Sequence, residues 1–508
     1  MGCATRTAVA GLLWASASGF QLRPISLIAS TPSRLAACDH RLRSAVRVPP
    51  RRAELVMQGD PERGLTDATS SSTAASLNLA KAIVGAGSFS LPYVCKKQGV
   101  VGGLGTIVVC AVLASYTMQS LIESKDEVEK RTGLAPLSYV DTARLTLGQN
   151  AATLVFTLTA MASLLVCSSY LAFIGSTLAT MAAQEGNIIT NLVPSGTSKE
   201  VFEVAVAAVL LPICCLRDFR FLSFTSVLGI VAVVMACATV LFDGLSAQGS
   251  LDKSIQALQS LPLGPASVSS YFESFGTVVY LFCVNFLIFP IQQNMARGKE
   301  WPVSVQQAVT ATAACNAVFA ALGYSFFGDE TQEIILNNLG PGELLSAVKL
   351  LLCVDLLCSY PLVLVSGRDI VEKLILGDGT QALTQNRDSA TEGEDNHDEV
   401  CATEAGGRQG SLGNMFASSQ LLASGPQVAI RTGLVAGTCL LAQAKGFGII
   451  TNVAGGFAQG TLAFILPGAL ALSLKSETLT RPETAAIKAL IAFGFFSASV
   501  TTYLALAS

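Results

Sequence analysis

Long apolar segments follow one another along the chain from about residue 76 to its end. Each holds about 20 residues with few charges, which is the length an α-helix needs to cross the hydrocarbon core of a bilayer. Eleven segments of this kind lie at 76–97, 100–122, 151–182, 200–216, 221–243, 271–295, 303–327, 343–366, 428–445, 447–474 and 483–506. The pattern predicts an all-α integral membrane protein with about eleven transmembrane helices, numbered below as the first to the eleventh span.

Polar segments divide this apolar chain into four regions. Residues 1–75 are predicted to be a leader followed by a disordered linker, and 76–376 to hold spans one to eight. Residues 377–427 carry eight acids among Gly, Ser, Thr and Gln, which predicts a disordered acidic loop. Residues 428–508 then hold spans nine to eleven. Between the second and third spans, Ser138 to Gln149 is amphipathic and is predicted to be an interfacial helix.

The leader has the composition of a targeting segment. Residues 1–53 carry eight arginines and a single acid, Asp39, with abundant Ser and Ala, as transit peptides do. A short apolar run at 8–17, closely followed by Phe20, resembles the two-part plastid leaders of algae with secondary plastids. A plain chloroplast or mitochondrial leader, or a cytosolic tail, is the alternative.

The distribution of Lys and Arg predicts the orientation of the spans. Fourteen of these residues flank the ends that share a side with the N-terminus, and six flank the opposite ends. Positive residues stay on the cytosolic side of a membrane, or on its organellar equivalent. The N-terminus is therefore expected on the cytosol, stroma or matrix side, and the C-terminus on the other.

Composition excludes several classes of function. The chain is 51% hydrophobic and 13% charged, whereas a soluble domain is about 25% charged. Its two histidines, His40 and His397, lie outside the predicted spans, so neither a histidine proton relay nor a histidine-bound metal is expected within them. The fourteen cysteines show no metal-binding spacing and are predicted to be small apolar packing residues. The spans hold no catalytic or nucleotide-binding motif, so neither an enzyme, a cofactor nor a nucleic-acid partner is expected.

The first span contains a break. The stretch from Lys81 to Tyr93 reads KAIVGAGSFSLPY, with Gly85, Gly87 and Pro92 in its interior. Gly costs about 1 kcal/mol and Pro about 3 kcal/mol within a helix. Opened backbone is tolerated in a membrane only where it lines a cavity or meets a ligand. The stretch therefore predicts a binding site built from backbone, with close helix packing at the glycines as the alternative.

The sixth span carries a matching interruption. It reads ESFGTVVYLFCVNFLIFPIQQNM, in which Asn285 interrupts the apolar run and Pro290 follows it. Interrupted spans at corresponding places of two halves are the sequence signature of a transporter built from an inverted repeat. Breaks in spans one and six thus favour a five-plus-five repeat.

Several long motifs carry a family resemblance. LNLAKAIVGAGSFSLPY, SYVDTARLTLGQ, FGTVVYLFCVNFLIFPIQQNM, ALGYSFFGDETQEIILNNL and AQAKGFGIITNVAGGFAQGTLAFILPGALAL occur in collinear order between about residue 75 and the end. They resemble the amino acid/auxin permease family. The resemblance implies the bacterial leucine-transporter type of fold, with five-plus-five inverted repeats and broken helices one and six. It also implies secondary transport of amino acids.

The resemblance implies a substrate site at the two breaks. Gly85, Ala86, Gly87 and Ser88 would present backbone N–H groups to the substrate carboxylate, aided by the dipole of the half-helix. Carbonyl groups around Phe282, Cys283, Val284 and Asn285 would take the ammonium. The sixth span departs from the family pattern, because Cys283 replaces an acid and Val284 a glycine. A missing glycine is expected to make that break harder to form.

Three polar residues are candidates for ion coupling. Lys81 stands where sodium-coupled relatives have Asn, so its ammonium would repel sodium and favour proton coupling or uniport. Snorkelling to the interface is the alternative for Lys81. Asp355, the most deeply placed acid of the apolar part, is either a proton acceptor or a neutral acid bridging helices. Ser359, one turn further along, is either part of the cation site or bonded to its own helix.

The expected function is proton-coupled symport of an amino acid across a lipid bilayer by alternating access. A sensor or facilitator of the same fold without gradient coupling remains an alternative, as does a transporter of a related amine or carboxylate. The sequence indicates no particular amino acid, transport direction or oligomeric state.

Overall fold

The computed structural model describes residues 71–135, 137–184, 194, 196–216, 225–376 and 425–507. No β-sheet forms among these residues, which confirms the predicted all-α class. Most of the predicted leader, 1–70, and most of the predicted acidic loop, 377–424, lie outside the described residues.

The described part of the chain contains sixteen α-helices, with shorter 3₁₀ and π segments between some of them. They are α1 (Ser72–Ile83), α2 (Leu91–Gln98), α3 (Val100–Thr132), α4 (Tyr139–Leu147), α5 (Gln149–Ala183), α6 (Lys199–Cys214), α7 (Thr225–Gln248), α8 (Leu251–Ser260), α9 (Val268–Phe282), α10 (Ile288–Gln293), α11 (Trp301–Phe327), α12 (Glu343–Leu376), α13 (Gly425–Ala444), α14 (Phe447–Val453), α15 (Leu466–Leu474) and α16 (Arg481–Ala507). The first span comprises α1 and α2, the sixth comprises α9 and α10, and the tenth runs from α14 to α15.

Eight helical stretches are long and apolar enough to cross a membrane. They correspond to the predicted spans two, three, five, six, seven, eight, ten and eleven. The other three predicted spans are helical but fall short of this standard, because the first is broken in two and α6 of the fourth has 16 residues. The ninth, α13, is long enough with 20 residues, but its residues, which include Arg431, are not apolar enough. The count of eleven stays a prediction.

Spans six and ten lie at the centre of the helix bundle. Of their most apolar windows, 78% and 72% is buried, compared with 28% for the fifth span and 33% for the eleventh. Apolar side chains such as Val234 and Phe242 of the fifth span are exposed on the outside of the bundle. This arrangement is the one expected when lipid surrounds the outer helices and protein surrounds the inner ones.

The backbones of spans six and ten touch. A Cβ on Gly276 would collide with the carbonyl oxygen of Asn452, and a Cβ on Gly455 would collide with that of Gly276. The side chain of Asn452 joins both helices: its Oδ1 accepts from the Gly276 N–H at 2.6 Å, and its Nδ2 donates to the Phe272 carbonyl at 3.1 Å. Beyond this contact the tenth span widens into two π-helical segments, Ala454–Gln459 and Thr461–Ile465.

The predicted interfacial helix is present as α4. Ser138 caps it through a capping box with Asp141, which explains why the helix begins there. Tyr139 faces inward, where its hydroxyl donates to the Leu462 carbonyl at 2.7 Å and its ring stacks on Phe289. The helix therefore contacts both the tenth span and the second half of the sixth.

A buried ion pair joins spans eight and nine. Arg431 Nε donates to Glu372 Oε1 at 2.8 Å, and both side chains are 4% exposed. Arg431 also donates to three carbonyl groups at the end of α6, those of Cys214, Cys215 and Leu216. These bonds hold three helices together at the point where the chain leaves α12 and returns at α13.

The eleven described cysteines are free thiols. Eight are buried, Cys237 and Cys358 are partly buried, and Cys315 of α11 is exposed. Their placement agrees with the prediction that they act as small apolar packing residues.

Candidate functional site

The first span is broken where the glycines predicted it. Helix α1 ends at Ile83, Val84 and Gly85 are extended, and a 3₁₀ turn covers Ala86–Ser90 before α2 begins. The Ser88 N–H bonds the Gly85 carbonyl at 3.0 Å, which closes the turn. Pro92 stands in the first turn of α2, where a proline removes no helical hydrogen bond.

The two glycines of the break have different surroundings. A Cβ on Gly85 would meet no atom within 4 Å. A Cβ on Gly87 would lie 3.1 Å from the ring of Tyr280 and 3.3 Å from Leu281. Close packing therefore accounts for Gly87 but not for Gly85, which borders open space.

Ser88 brings an unpaired hydroxyl to the break. Its side chain is fully buried, and its Oγ has no hydrogen-bond partner among the described residues. Buried polar groups are rarely left unpaired, and those that are call for an explanation such as a ligand. Gly85, Ala86, Gly87 and Ser88 thus form one compact turn that combines open space with an unused donor.

The sixth span is also broken, between α9 and α10. Cys283 and Val284 leave the helix, and a 3₁₀ turn covers Asn285–Leu287. The break is present with Val284 in place, and the expectation that a glycine would make it easier to form stays a prediction. The φ of Val284 is −89° and that of Cys283 is −90°, so neither residue adopts the left-handed conformation that would require a glycine.

Two of the predicted sixth-span site residues face the second span. Asn285 is fully buried and donates from Nδ2 to Thr117 Oγ1 at 3.3 Å, while its Oδ1 has no partner among the described residues. The Cys283 thiol lies near Cys110 of the same span. Phe282 and Val284 are buried in the surrounding core. Their side chains give no direct bond to the first-span break.

Tyr280 is the sixth-span residue that meets the first-span break. Its ring lies against Gly87, and its hydroxyl shares a hydrogen bond with Ser169 of the third span at 3.0 Å. Tyr170, the next residue of that span, lies within electrostatic reach of both Tyr280 and Asp355. Nothing in the sequence singles out these residues, because an aromatic or hydroxyl residue in an apolar run looks like ordinary core.

Lys81 of the first span and Asp355 of the eighth lie within electrostatic reach of each other. The Asp355 carboxylate lies so close to Gly229 of the fifth span that a Cβ there would collide with it. Asp355 is 8% exposed. Ser359 is partly buried one turn further along α12. Three spans thus converge on an acid and a base just before the first-span break.

A second buried acid lies in the fourth span. Glu203 is fully buried against Gly175 of the third span. Its ion-pair partner among the described residues is Lys199, whose Nζ lies 3.7 Å from Oε1. Glu203 is more completely enclosed than Asp355, although its place near the predicted start of a span makes it look interfacial. No cluster of His, Cys, Asp and Glu able to hold a metal ion occurs in the part of the chain that the structure describes.

Comparison with known proteins places these features in a family. The model of the family "Transmembrane amino acid transporter protein" matches residues 68–507. The amino acid transporter AVT3B of Arabidopsis thaliana is 27% identical over 300 residues, which cover 58% of this chain and 70% of the relative. The vesicular inhibitory amino acid transporter of Mus musculus is 25% identical over 310 residues, covering 60% of this chain and 56% of that protein.

Solved structures of other transporters also align with the chain. Mhp1, a nucleobase-cation-symport-1 family transporter, aligns with a TM-score of 0.48 and 10% identity over 86% of this chain and 91% of its own. MhsT in complex with L-phenylalanine aligns with a TM-score of 0.43 and 12% identity over 85% and 98%.

Proposed function

The chain belongs to the transmembrane amino acid transporter protein family, and we propose that it is a secondary active amino-acid transporter working by alternating access. It is an integral multi-pass membrane protein and not an enzyme. The observation that carries the proposal is the broken first span, where Gly85 borders open space beside the buried, unpaired hydroxyl of Ser88.

The turn from Gly85 to Ser88 would bind the carboxylate of the substrate. It lies in the 3₁₀ segment that leads directly into α2, and a helix N-terminus favours an anion. Backbone around Phe282, Cys283, Val284 and Asn285 would bind the ammonium, since carbonyl oxygens accept from it. Tyr280, which spans the distance from Gly87 to Ser169, would close over the bound solute. The amino acid transporters among its relatives support an amino acid as substrate.

A proton would be the coupling ion, with Lys81, Asp355 and Ser359 as the coupling residues. The ammonium of Lys81 opposes a sodium ion beside the first-span break. When Asp355 is ionised it attracts Lys81 of α1, and when it binds a proton that attraction ends. One proton bound and released per cycle would therefore switch the attraction between the first and eighth spans.

Uptake of the twenty amino acids, each tested alone in proteoliposomes, tests this proposal. With pH and sodium gradients varied separately, we expect uptake to follow the pH gradient. Asp355→Asn is expected to lower gradient-driven uptake by about tenfold or more, a usual size for a coupling effect, because the proton acceptor is gone. Asp329→Asn, which removes an exposed acid, is the matched control and should transport normally.

Three outcomes contradict parts of the proposal. Uptake that is driven by a sodium gradient and does not depend on pH would contradict proton coupling. Gradient-driven uptake by Asp355→Asn at the normal rate would remove Asp355 from it. Binding of an amino acid without uptake under any gradient would favour the sensor.

The proposed location is a plastid membrane with the N-terminus on the stromal side. The Arg-rich, acid-poor composition of the first 53 residues supports it, together with the excess of positive residues at one set of span ends. Residues 1–60 fused to a fluorescent protein should direct it to the plastid. Accumulation in mitochondria or the cytosol would contradict this location.

A further inference from the structure

A charged cavity of about 180 Å³ lies beside the candidate substrate site. Its wall includes residues from the 3₁₀ turn of the first span, α2, α9, the loop after α11 and α14, namely Ser90, Lys97, Glu273, Thr277, Glu333 and Asn452. Ser90 belongs to the same 3₁₀ turn as Ser88. The cavity therefore begins where the substrate-binding turn ends, and it runs along α2 away from Lys81 and Asp355.

One wall of the charged cavity carries an ion pair that the fold does not need. Lys97 Nζ lies 3.1 Å from Glu273 Oε2, and their side chains are 31% and 41% exposed. Pairs this exposed contribute only about 0–1 kcal/mol to stability. The Lys97 ammonium also lies 5.7 Å from the centre of the Tyr93 ring.

A second acid of the cavity wall is held by hydrogen bonds from two spans. Glu333 Oε2 accepts from the Gly448 N–H at 3.0 Å, at the first turn of α14. The Glu333 carbonyl accepts from the Ser90 hydroxyl, so the first and tenth spans both hold this residue. Its other carboxylate oxygen, Oε1, makes no hydrogen bond within the described ranges. Tyr93 lies within electrostatic reach of Lys97, Glu273 and Glu333, which places the three charges around one space.

We propose that the charged cavity is an access subsite that binds the amino acid as a zwitterion before it reaches the first-span break. The Glu333 carboxylate binds the ammonium of the substrate. The Lys97 ammonium leaves Glu273 and binds the carboxylate of the substrate. A volume below the range of about 300–1,000 Å³ typical of drug-sized ligands suits a small solute. This inference rests on the proposed function, because it concerns the path of the same substrate.

Uptake kinetics of Lys97→Gln and Glu333→Gln in proteoliposomes test the subsite. The probes are the amino acid transported fastest out of the twenty, its amide, which lacks the carboxylate, and its N-acetyl derivative, which lacks the ammonium. We expect each variant to raise the KM for the amino acid by about fivefold, the effect of roughly 1 kcal/mol, with the maximal rate within about twofold. Lys97→Gln should reduce the difference in KM between the amino acid and its amide, and Glu333→Gln the difference between the amino acid and its N-acetyl derivative. The difference that remains would come from the first-span and sixth-span breaks.

Two matched controls and one double variant complete the test. Lys253→Gln and Glu330→Gln remove exposed charges outside the cavity wall and should leave the KM unchanged. Lys97→Glu combined with Glu273→Lys restores an ion pair but reverses its polarity, so its KM should stay raised. If Glu333→Gln does not yield a folded protein, Lys97→Gln carries the test, because Lys97 is a partly exposed residue.

A normal KM in every single variant that folds overturns the subsite. A normal KM in the double variant does so too, because it would make Lys97 and Glu273 a simple ion pair. Either result leaves amino-acid transport standing, since it is measured with active protein. Failure of the wild type to transport any of the twenty amino acids would overturn the proposed function and the subsite together.

Discussion

Gly85 and Gly87 stand two residues apart and are glycines for different reasons. Gly87 has the ring of Tyr280 against it, so a larger residue there would displace an aromatic side chain. Gly85 has a φ of −141°, which any residue adopts, and no neighbour that a Cβ would touch. Neither backbone conformation nor packing requires a glycine at position 85. We infer that the absence of a side chain there keeps space open for the substrate.

Gly85→Leu should therefore abolish function without unfolding the protein. The side chain would occupy the space proposed for the substrate, and we expect uptake to fall by at least about tenfold, equivalent to 1.4 kcal/mol. Gly105→Leu is the control, because that glycine is exposed on α3 and also borders open space. The measurement is uptake compared at equal amounts of monodisperse protein. Normal uptake by Gly85→Leu would show that the empty space is not the substrate site.

The sequence predicts the residues that break a helix far better than those that contact across helices. Gly85 and Pro92 act on their own backbone, so their effect is visible locally and the break is where they indicate it. Tyr280 and Ser169 lie 111 positions apart in the chain, and their hydrogen bond depends on how two spans pack. The direction of the Asn285 side chain, toward Thr117, depends on packing in the same way.

Spans six and ten are joined by direct contact between their backbones. Gly276 and Gly455 allow backbone contact, and Asn452 bonds to two positions of α9. The first half of the sixth span and the start of the tenth are thus expected to move as one body. Relative movement is left to the breaks at Val84–Gly85 and Cys283–Val284, where no continuous helix resists bending.

Gly276→Ala tests this contact. The added methyl group would meet backbone that cannot turn aside, so we expect a loss of about 1–3 kcal/mol, the usual cost of overpacking. Thermal unfolding in detergent should show a lower Tm. Gly433→Ala on α13 has open space and should raise the Tm slightly or leave it unchanged, because Ala favours a helix. An unchanged Tm in Gly276→Ala would mean that the two helices separate easily.

For the whole molecule, the order of the apolar segments predicted which parts of the chain form spans, but not which spans lie at the centre of the bundle. Eight spans are confirmed by length and composition, and both predicted breaks are present. Which spans lie at the centre could not be read from hydropathy, because the exposed fifth span is at least as apolar as the buried sixth, with mean hydropathies of 2.1 and 1.9. Lipid and protein interiors both favour apolar residues, so composition does not distinguish them.

The long segment between spans eight and nine is predicted to be dispensable for transport. The Glu372–Arg431 pair already joins α12 to α13, and Arg431 also holds the end of α6. Replacing residues 381–420 by a short Gly/Ser linker should leave uptake within about twofold, since no transport residue proposed above lies there. Strongly reduced uptake by a folded deletion variant would assign this segment a part in transport.

Arg431→Met is the counterpart of that deletion. The variant removes the shorter of two ion pairs of Glu372, since Arg368 Nε also lies 3.9 Å from Glu372 Oε1, and it leaves the carbonyl groups at the end of α6 without their donor. Losing such buried hydrogen bonds costs about 1–3 kcal/mol, so we expect a lower Tm. Exposed Arg297→Met, in the loop after α10, serves as its control. A normal Tm in Arg431→Met would show that the helices are held together without the pair.

Cys315 is the one exposed thiol among the cysteines that the structure describes, and its position makes it a natural reporter of motion. It lies on α11 about two turns beyond Gln307. Gln307 Oε1 accepts a hydrogen bond from the Ser76 hydroxyl of α1 at 3.1 Å, so the two helices are neighbours. One nitroxide would be attached to Cys315 of the seventh span. A second would be attached to α1, in the first half of the first span, through Leu77→Cys, because Leu77 is exposed. Electron paramagnetic resonance would then measure the distance between the two labels. A change in that distance would report movement of α1 relative to the seventh span.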